Sequence, residues 1–215
     1  MKRKIRLAFA IIFLVISIPF LIWGFWPPYR ETRVVPLLPA VSMPTLPDAH
    51  SIQLEFAPTM RASDSQIIKL TLSADDGAST GQDFYAKYNV IAEARLDLPL
   101  ADVRPADLVR TTLVEGGSAT FYWEVRPLEE GPLRGTAWLY LQLTPKVGGE
   151  EARQPVSAQL VEIRSQSMLK RTGGQTRVIG VIGSLVGLGL SVPFIARVLR
   201  SSRNKTIPIE SNPPV

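Results

Sequence analysis

The sequence predicts a mainly β domain, an antiparallel β-sandwich on the extracytoplasmic side of a membrane, flanked by two transmembrane α-helices. Three observations predict it. Two long uncharged runs bracket the chain, positive charge collects outside them, and the segment between alternates apolar and polar residues with a period of two.

The runs come first. Leu7 to Trp26 is 20 residues long and Val178 to Ala196 is 19, both without a charge. A hydrocarbon core of about 30 Å is crossed by roughly 20 apolar residues of helix. The first run is longer than the apolar stretch of a signal peptide and no small-x-small site follows it. Trp23, Phe25, Trp26 and Tyr29 follow instead, as in an interfacial aromatic belt. It reads as an uncleaved anchor.

Charge sets the orientation. Lys2, Arg3, Lys4 and Arg6 precede the first run, and Arg197, Arg200, Arg203 and Lys205 follow the second against Glu210. Between them, Pro27 to Arg177 carries 16 basic and 18 acidic residues. The overall charge of +5 is therefore confined to the flanks, while the middle is slightly acidic. This is the positive-inside pattern, with both termini cytoplasmic and the middle translocated. It leaves no basic face for nucleic acid. The absence of cysteine excludes disulfides, thiolate catalysis and cysteine metal sites.

The expected organisation is a cytoplasmic N-terminus (1–6), a first helix (7–26), a proline-rich spacer (27–47), the β domain (48–164), a polar linker (165–176), a second helix (177–199) and a cytoplasmic tail (200–215). Six prolines fall in the spacer, from Pro27 to Pro47, and they deny it helix or central strand. Its apolar pairs Val34-Val35 and Leu37-Leu38 either pack along the domain or belong to a spacer holding it off the bilayer.

Within the domain, Ile52/Leu54/Phe56, Ile68/Leu70/Leu72, Val90/Ala92/Ala94/Leu96/Leu98, Ala119/Phe121/Trp123/Val125 and Ala137/Leu139/Leu141/Leu143 each alternate with mostly polar neighbours. Val156, Ala158 and Leu160 open a further strand whose phase slips at Val161 and Ile163, as at a bulge. A weaker strand lies at Leu108 to Leu113. About seven strands, with turns such as Glu115-Gly116-Gly117 and no helical period between them, give an antiparallel sandwich or barrel.

Phe121-x-Trp123-x-Val125-x-Pro127, then Gly131, then Ala137 to Leu143, resembles the central strands of immunoglobulin-like or fibronectin-type sandwiches in bacterial envelope proteins. The resemblance implies a fold and no catalytic residue. The paired cysteines of antibody domains are absent.

Chemistry-bearing constellations are few. His50 is the only histidine and reads as ordinary surface at a domain edge. Glu129-Glu130 and Glu150-Glu151 read as solubilising turn charge. The loop Asp75 to Asp83 is rich in oxygen ligands but lacks EF-hand spacing, so it reads as a polar turn before a calcium site. No phosphate loop or dinucleotide fingerprint occurs. No cofactor and no metal are expected, and the chain is not expected to be an enzyme.

Two surfaces remain. If 118–126 and 136–144 pair as a hairpin centred on Gly131, Tyr122 stands opposite Tyr140 and Glu124 opposite Trp138 on the outer side. Tyr122, Trp138 and Tyr140 then form either a protein-binding patch or a surface covered by the chain itself, such as the spacer. In the second helix Gly183, Gly187 and Ser191 recur every four residues, a face that lets another helix approach closely. The functional expectation is a membrane-anchored binding or scaffold module of the cell envelope. It would contact another membrane or envelope protein, or a second copy of itself. A sensor-like accessory subunit is the alternative, and a membrane-bound hydrolase comes third.

Overall fold

The computed structural model describes residues 2–37, 50–74 and 82–203. The chain divides into two compact units, Pro27–Gly173 and Met1–Trp26 together with Gly174–Val215.

The first unit is a β-sandwich. One sheet is built from β1 (Glu31–Pro36), β2 (His50–Phe56), β4 (Gln66–Ala74), β8 (Ser118–Pro127) and β6 (Ala101–Arg104), in the order β1-β2-β4-β8-β6. The other holds β3 (Thr59–Arg61), β10 (Ala152–Gln166), β9 (Gly131–Pro145), β5 (Tyr88–Asp97) and β7 (Val109–Leu113), in the order β3-β10-β9-β5-β7. Every pairing is antiparallel except that of the short β3 with β10. One turn and a half of helix, α2 (Gln82–Lys87), leads into β5 where no helix was expected.

Alternation decides which side chains meet. Ile52, Leu54 and Phe56, Ile68, Leu70 and Leu72, and Phe121, Trp123 and Val125 fill the inner face of the first sheet. Val90, Ala92, Ala94 and Leu96, Leu139, Leu141 and Leu143, and Val161 and Ile163 answer from the second. Trp123 is fully buried and stacks on Phe121 with ring centroids 6.3 Å apart. Facing sheets stand about 10 Å apart, so the interior is one side-chain layer from each. At Gly135 a Cβ would overlap the Asp97 carbonyl, so only glycine lets β9 pass the end of β5 this closely.

Four expectations need correction. The stretch read as a spacer contributes β1, which pairs with β2 from Glu31↔Phe56 to Pro36↔Ser51. It is an edge strand, where proline's missing donor is tolerated. Residues 38–47 of that stretch lie outside the described residues, as does most of the Asp75–Asp83 loop. The linker is shorter than expected, because β10 runs to Gln166. The bulge in β10 falls between Pro155 and Ser157, not at Val161, so Ala158 and Leu160 point outward and Val161 and Ile163 inward. Lastly, His50 is buried within β2 and is not surface.

The second unit consists of α1 (Lys2–Phe25) and α3 (Gly173–Arg203). Ala8–Phe25 and Gly173–Val192 are long and apolar enough to cross a membrane. The two helices pack antiparallel through small residues. A Cβ added to Gly180 would stand 2.9 Å from Leu21 Cδ2, one on Gly187 would stand 2.8 Å from Leu14 Cγ, and one on Gly183 would overlap Ser17 Oγ. Leu14, Ser17 and Leu21 recur at spacings of three and four, one face of a helix. Ser191 lies beyond this seam's glycines and its hydroxyl donates to the Leu188 carbonyl of its own helix at 2.7 Å. Arg177 Nε donates to the Gly24 carbonyl at 2.8 Å, satisfying one of the orphan acceptors at the C-terminus of α1.

Two variants test these assignments. Trp123→Ala is expected to destabilise the β unit by about 3–5 kcal/mol in chemical denaturation, the cost of emptying a core aromatic site. Gly183→Leu is expected to lower the temperature at which the helical circular dichroism signal is lost in detergent, because leucine blocks the approach of α1. Unchanged midpoints would mean that neither the ring nor the glycine lies where the packing puts it.

Candidate functional site

The hairpin expected between 118–126 and 136–144 does not form. Both strands exist, but β8 pairs with β4 and β6, and β9 pairs with β5 and β10. Gly131 adopts φ +125°, and the chain leaves one sheet there and enters the other. Tyr122 therefore stands opposite Lys69 on the outer face of the first sheet, whereas Tyr140 stands opposite Glu93 on the outer face of the second. The three aromatics are split between the two sides of the sandwich.

Tyr122 is 56% exposed, on an outer face that also carries Lys69, Glu124 and the exposed Ile67. The rung that holds it continues through Lys69 and Glu55, and the next holds Thr71 and Thr120. Nothing on that face converges on the ring.

Trp138 and Tyr140 have a different setting. Both are half-buried, and their rings stack with centroids 6.3 Å apart. The Arg153 guanidinium lies 4.4 Å above the Tyr140 ring, a cation–π contact. Beside them is Glu93, whose side chain is 0% exposed although it belongs to the outward-facing phase of β5. Arg153 donates its Nε–H to Glu93 Oε2 at 2.6 Å. Arg110 Nε lies 2.7 Å from Oε1 as an ion pair without hydrogen-bond alignment. The register explains the convergence, since Tyr140, Glu93 and Arg110 occupy one rung across β9, β5 and β7. A buried carboxylate is tolerated only when paired, and here two guanidinium groups pair it.

An open concavity of about 460 Å³ adjoins this cluster, lined by Arg95, Ala106, Asp107, Leu108, Tyr140 and Arg153. Arg95 stands opposite Trp138, two residues along β5 from Glu93. A smaller hollow of about 270 Å³ at the first sheet holds Asp102, Arg104, Glu124 and Arg126. Its charges balance, and Arg104 is already paired with Asp102 at 2.9 Å.

At the far end of β9, Glu151 accepts hydrogen bonds from the Gln142 amide and from the Thr144 hydroxyl, the latter at 2.9 Å. These bonds, the Gln142 one foremost, hold its carboxyl below the ordinary glutamate range, with Arg110 adding a smaller pull. A group with a depressed folded value contributes stability above its unfolded pKa and loses it as pH falls through the folded one.

Sequence reasoning placed Trp138 and Tyr140 outward but missed Glu93, Arg95, Arg110 and Arg153. Glu93 occupies a polar phase of its strand and looks like ordinary surface there. Its burial comes from side chains on two neighbouring elements that no local pattern connects.

No protein-family model matches the chain, and no curated protein sequence matches it significantly. Among solved structures, a chain of the complex between zinc 2-glycoprotein and prolactin inducible protein from human seminal plasma is similar at 8% identity and a TM-score of 0.34, over 63% of this chain and 93% of that one. The PapD-like domain 7 of human CEP192 is similar at 10% identity and 0.32, over 60% and 94%. AggA, the major subunit of aggregative adherence fimbriae type I from Escherichia coli, is similar at 10% identity and 0.31, over 64% and 96%. These likenesses concern the β-sandwich fold alone.

The two outer faces differ in what they tolerate. Tyr122→Ser is expected to leave the β unit within ~1 kcal/mol of wild type, as for an isolated surface residue. Glu93→Gln is expected to cost about 1.5–3 kcal/mol, the range for hydrogen bonds to charged groups, with the exposed arginine heads free to turn toward water. Equal effects in thermal melts would deny that Glu93 organises its face.

Proposed function

We propose that the chain is a double-pass membrane protein with both termini cytoplasmic. Its β-sandwich stands on the extracytoplasmic side as a non-enzymatic binding or scaffold module that works through protein–protein contacts. The observation that carries the reading is the outer face of the β3-β10-β9-β5-β7 sheet, where Trp138, Tyr140, Arg95, Arg110 and Arg153 gather around a buried carboxylate. Trp, Tyr and Arg are the residue types that dominate binding energy at protein interfaces, because each offers large rigid area or several donors. Arg153 and Tyr140 are held by Glu93 and by each other before any partner arrives, which reduces the entropy lost on association.

Membrane insertion is supported by the two apolar helices and by their outward side chains. Phe9, Ile12, Val15 and Ile16 of α1, and Val178, Ile182, Leu185 and Leu188 of α3, are exposed. Water would penalise such a surface by roughly 25 cal/mol per Å². The charge flanking the helices supports the orientation.

The cysteine-free sequence makes the topology directly testable. Leu128→Cys, at an exposed turn, is expected to react with a membrane-impermeant maleimide on intact cells, whereas a cysteine added at the N-terminus should react only after lysis. The reverse pattern would overturn the orientation. Trp138→Ser should reduce crosslinking of the full-length protein to its envelope neighbour, and Tyr122→Ser should not. Loss with Tyr122→Ser alone would move the binding face to the other sheet.

A further inference from the structure

The concavity beside Glu93 has a chemistry narrower than general protein binding. Arg153 spends only its Nε on Glu93 and is held flat over Tyr140. Its terminal nitrogens stay available, and the side chain is 48% exposed. Arg110 also meets Glu93 through Nε and is 64% exposed. Arg95, on the opposite side of the concavity, is exposed and pairs with no acid among the described residues.

Three acids lie near these three guanidinium groups. Glu93 lies beneath them, its Oε2 hydrogen-bonded to Arg153 and its Oε1 in an ion pair with Arg110, and Asp107 stands on the exposed rim of the concavity. Glu151 is bound to Thr144 and to Gln142, the residue opposite Arg153, and it acts on Arg110. The cluster is therefore balanced in charge, and what stays open is donor capacity: Arg95 has no acid partner among the described residues, and Arg153 leaves its terminal nitrogens unspent on Glu93.

We propose that this concavity receives a carboxylate side chain of a protein partner, held between the guanidinium groups of Arg95 and Arg153, with Glu93 as the positioning residue that fixes Arg153. The proposal rests on the binding-module reading above. A guanidinium presents parallel N–H donors that match the two oxygens of a carboxylate. Because Glu93 and Tyr140 already fix Arg153, little side-chain entropy is lost when the acid arrives. An acidic glycan fits less well. Sugars stack on an aromatic face, and the Tyr140 ring beside Arg153 is already covered by that guanidinium. Trp138 with the outward Ala158 and Leu160 supplies apolar surface beside the carboxylate position, as a peptide partner requires.

The test uses the full-length protein in detergent and a fluorescein-labelled octaglutamate peptide, followed by fluorescence anisotropy at about 50 mM salt, where charge contacts are little screened. Saturable binding is expected, weakened about tenfold or more by Arg95→Gln and by physiological salt. Arg95→Gln removes no buried partner, so its thermal melt should match wild type. Arg134→Gln, which removes another exposed arginine of the same face, should change binding less than about twofold. Glu93→Gln should weaken peptide binding although it removes a negative charge; a simple charge effect would strengthen it. Absence of saturable binding, equal loss with Arg134→Gln, tighter binding with Glu93→Gln, or Arg95-dependent binding of a uronate oligosaccharide in place of the peptide would each overturn the proposal. If Trp138→Ser still abolishes crosslinking to the neighbour while octaglutamate fails to bind, the carboxylate assignment falls and the binding-module reading stands.

Discussion

The sandwich depends on one constraint: the apolar phases of all its long strands must empty into a single interior. Trp123 and Phe121 on β8 need a layer opposite them, and Leu139 and Leu141 on β9 need the same. Placing β8 and β9 in different sheets lets each cover the other across the roughly 10 Å gap. The other features follow from that choice. Gly131 bends the chain from one sheet to the other, Gly135 lets β9 slide past the end of β5, and the bulge near Val156 keeps Val161 and Ile163 inside. The outer faces are then whatever the second phase of each strand provides.

On the β4–β8 side that second phase is mostly polar, with Tyr122 and Ile67 exposed within it. On the β9–β5 side it brings an acid between two arginines and two aromatic rings. The difference is one of register, not composition. Shifting β5 by two residues so that Glu93 stood opposite Trp138 would carry it away from Arg153, which lies opposite Gln142. The ion pairs thus add specificity to a register that the apolar core already requires. Their net stabilisation is modest, since burying the carboxylate costs much of what its pairing returns.

How much of this was legible follows from the same physics. Each strand with a clean period of two was visible, from Ile52/Leu54/Phe56 to Ala137/Leu139/Leu141/Leu143, because burial on one face writes itself directly into the sequence. The partners of those strands were not visible, because the same alternation serves either sheet. The Tyr122–Tyr140 pairing failed for that reason. β1, β3 and β6 were missed because short or proline-bearing edge strands carry little alternation. His50 was misplaced because burial at a strand's first residue depends on its neighbours. The cluster around Glu93 is a property of the register across β10, β9, β5 and β7 and has no local signature at all. The four-residue spacing of Gly183, Gly187 and Ser191 was visible in the sequence, whereas the setting of Ser17 and Leu14 of α1 against the two glycines came from the structure.

That neighbour changes where a partner can bind. Small residues on a membrane helix usually advertise a contact with another helix. Here Gly180, Gly183 and Gly187 are already occupied by Leu21, Ser17 and Leu14 of the same chain. What the helical unit still offers is a belt of large aliphatic side chains, equally suited to lipid. In a bilayer such a belt would discriminate poorly between partners, because lipid tails solvate aliphatic surface as well as a protein does. Specific recognition must then come from groups whose alternatives are costly, and buried or half-buried charge is the clearest case. Among the described residues that description fits the arginines around Glu93 better than any feature of the helices. The helices thus consume their own packing face, while the β-sandwich keeps an outer face of arginines and aromatic rings around a buried carboxylate.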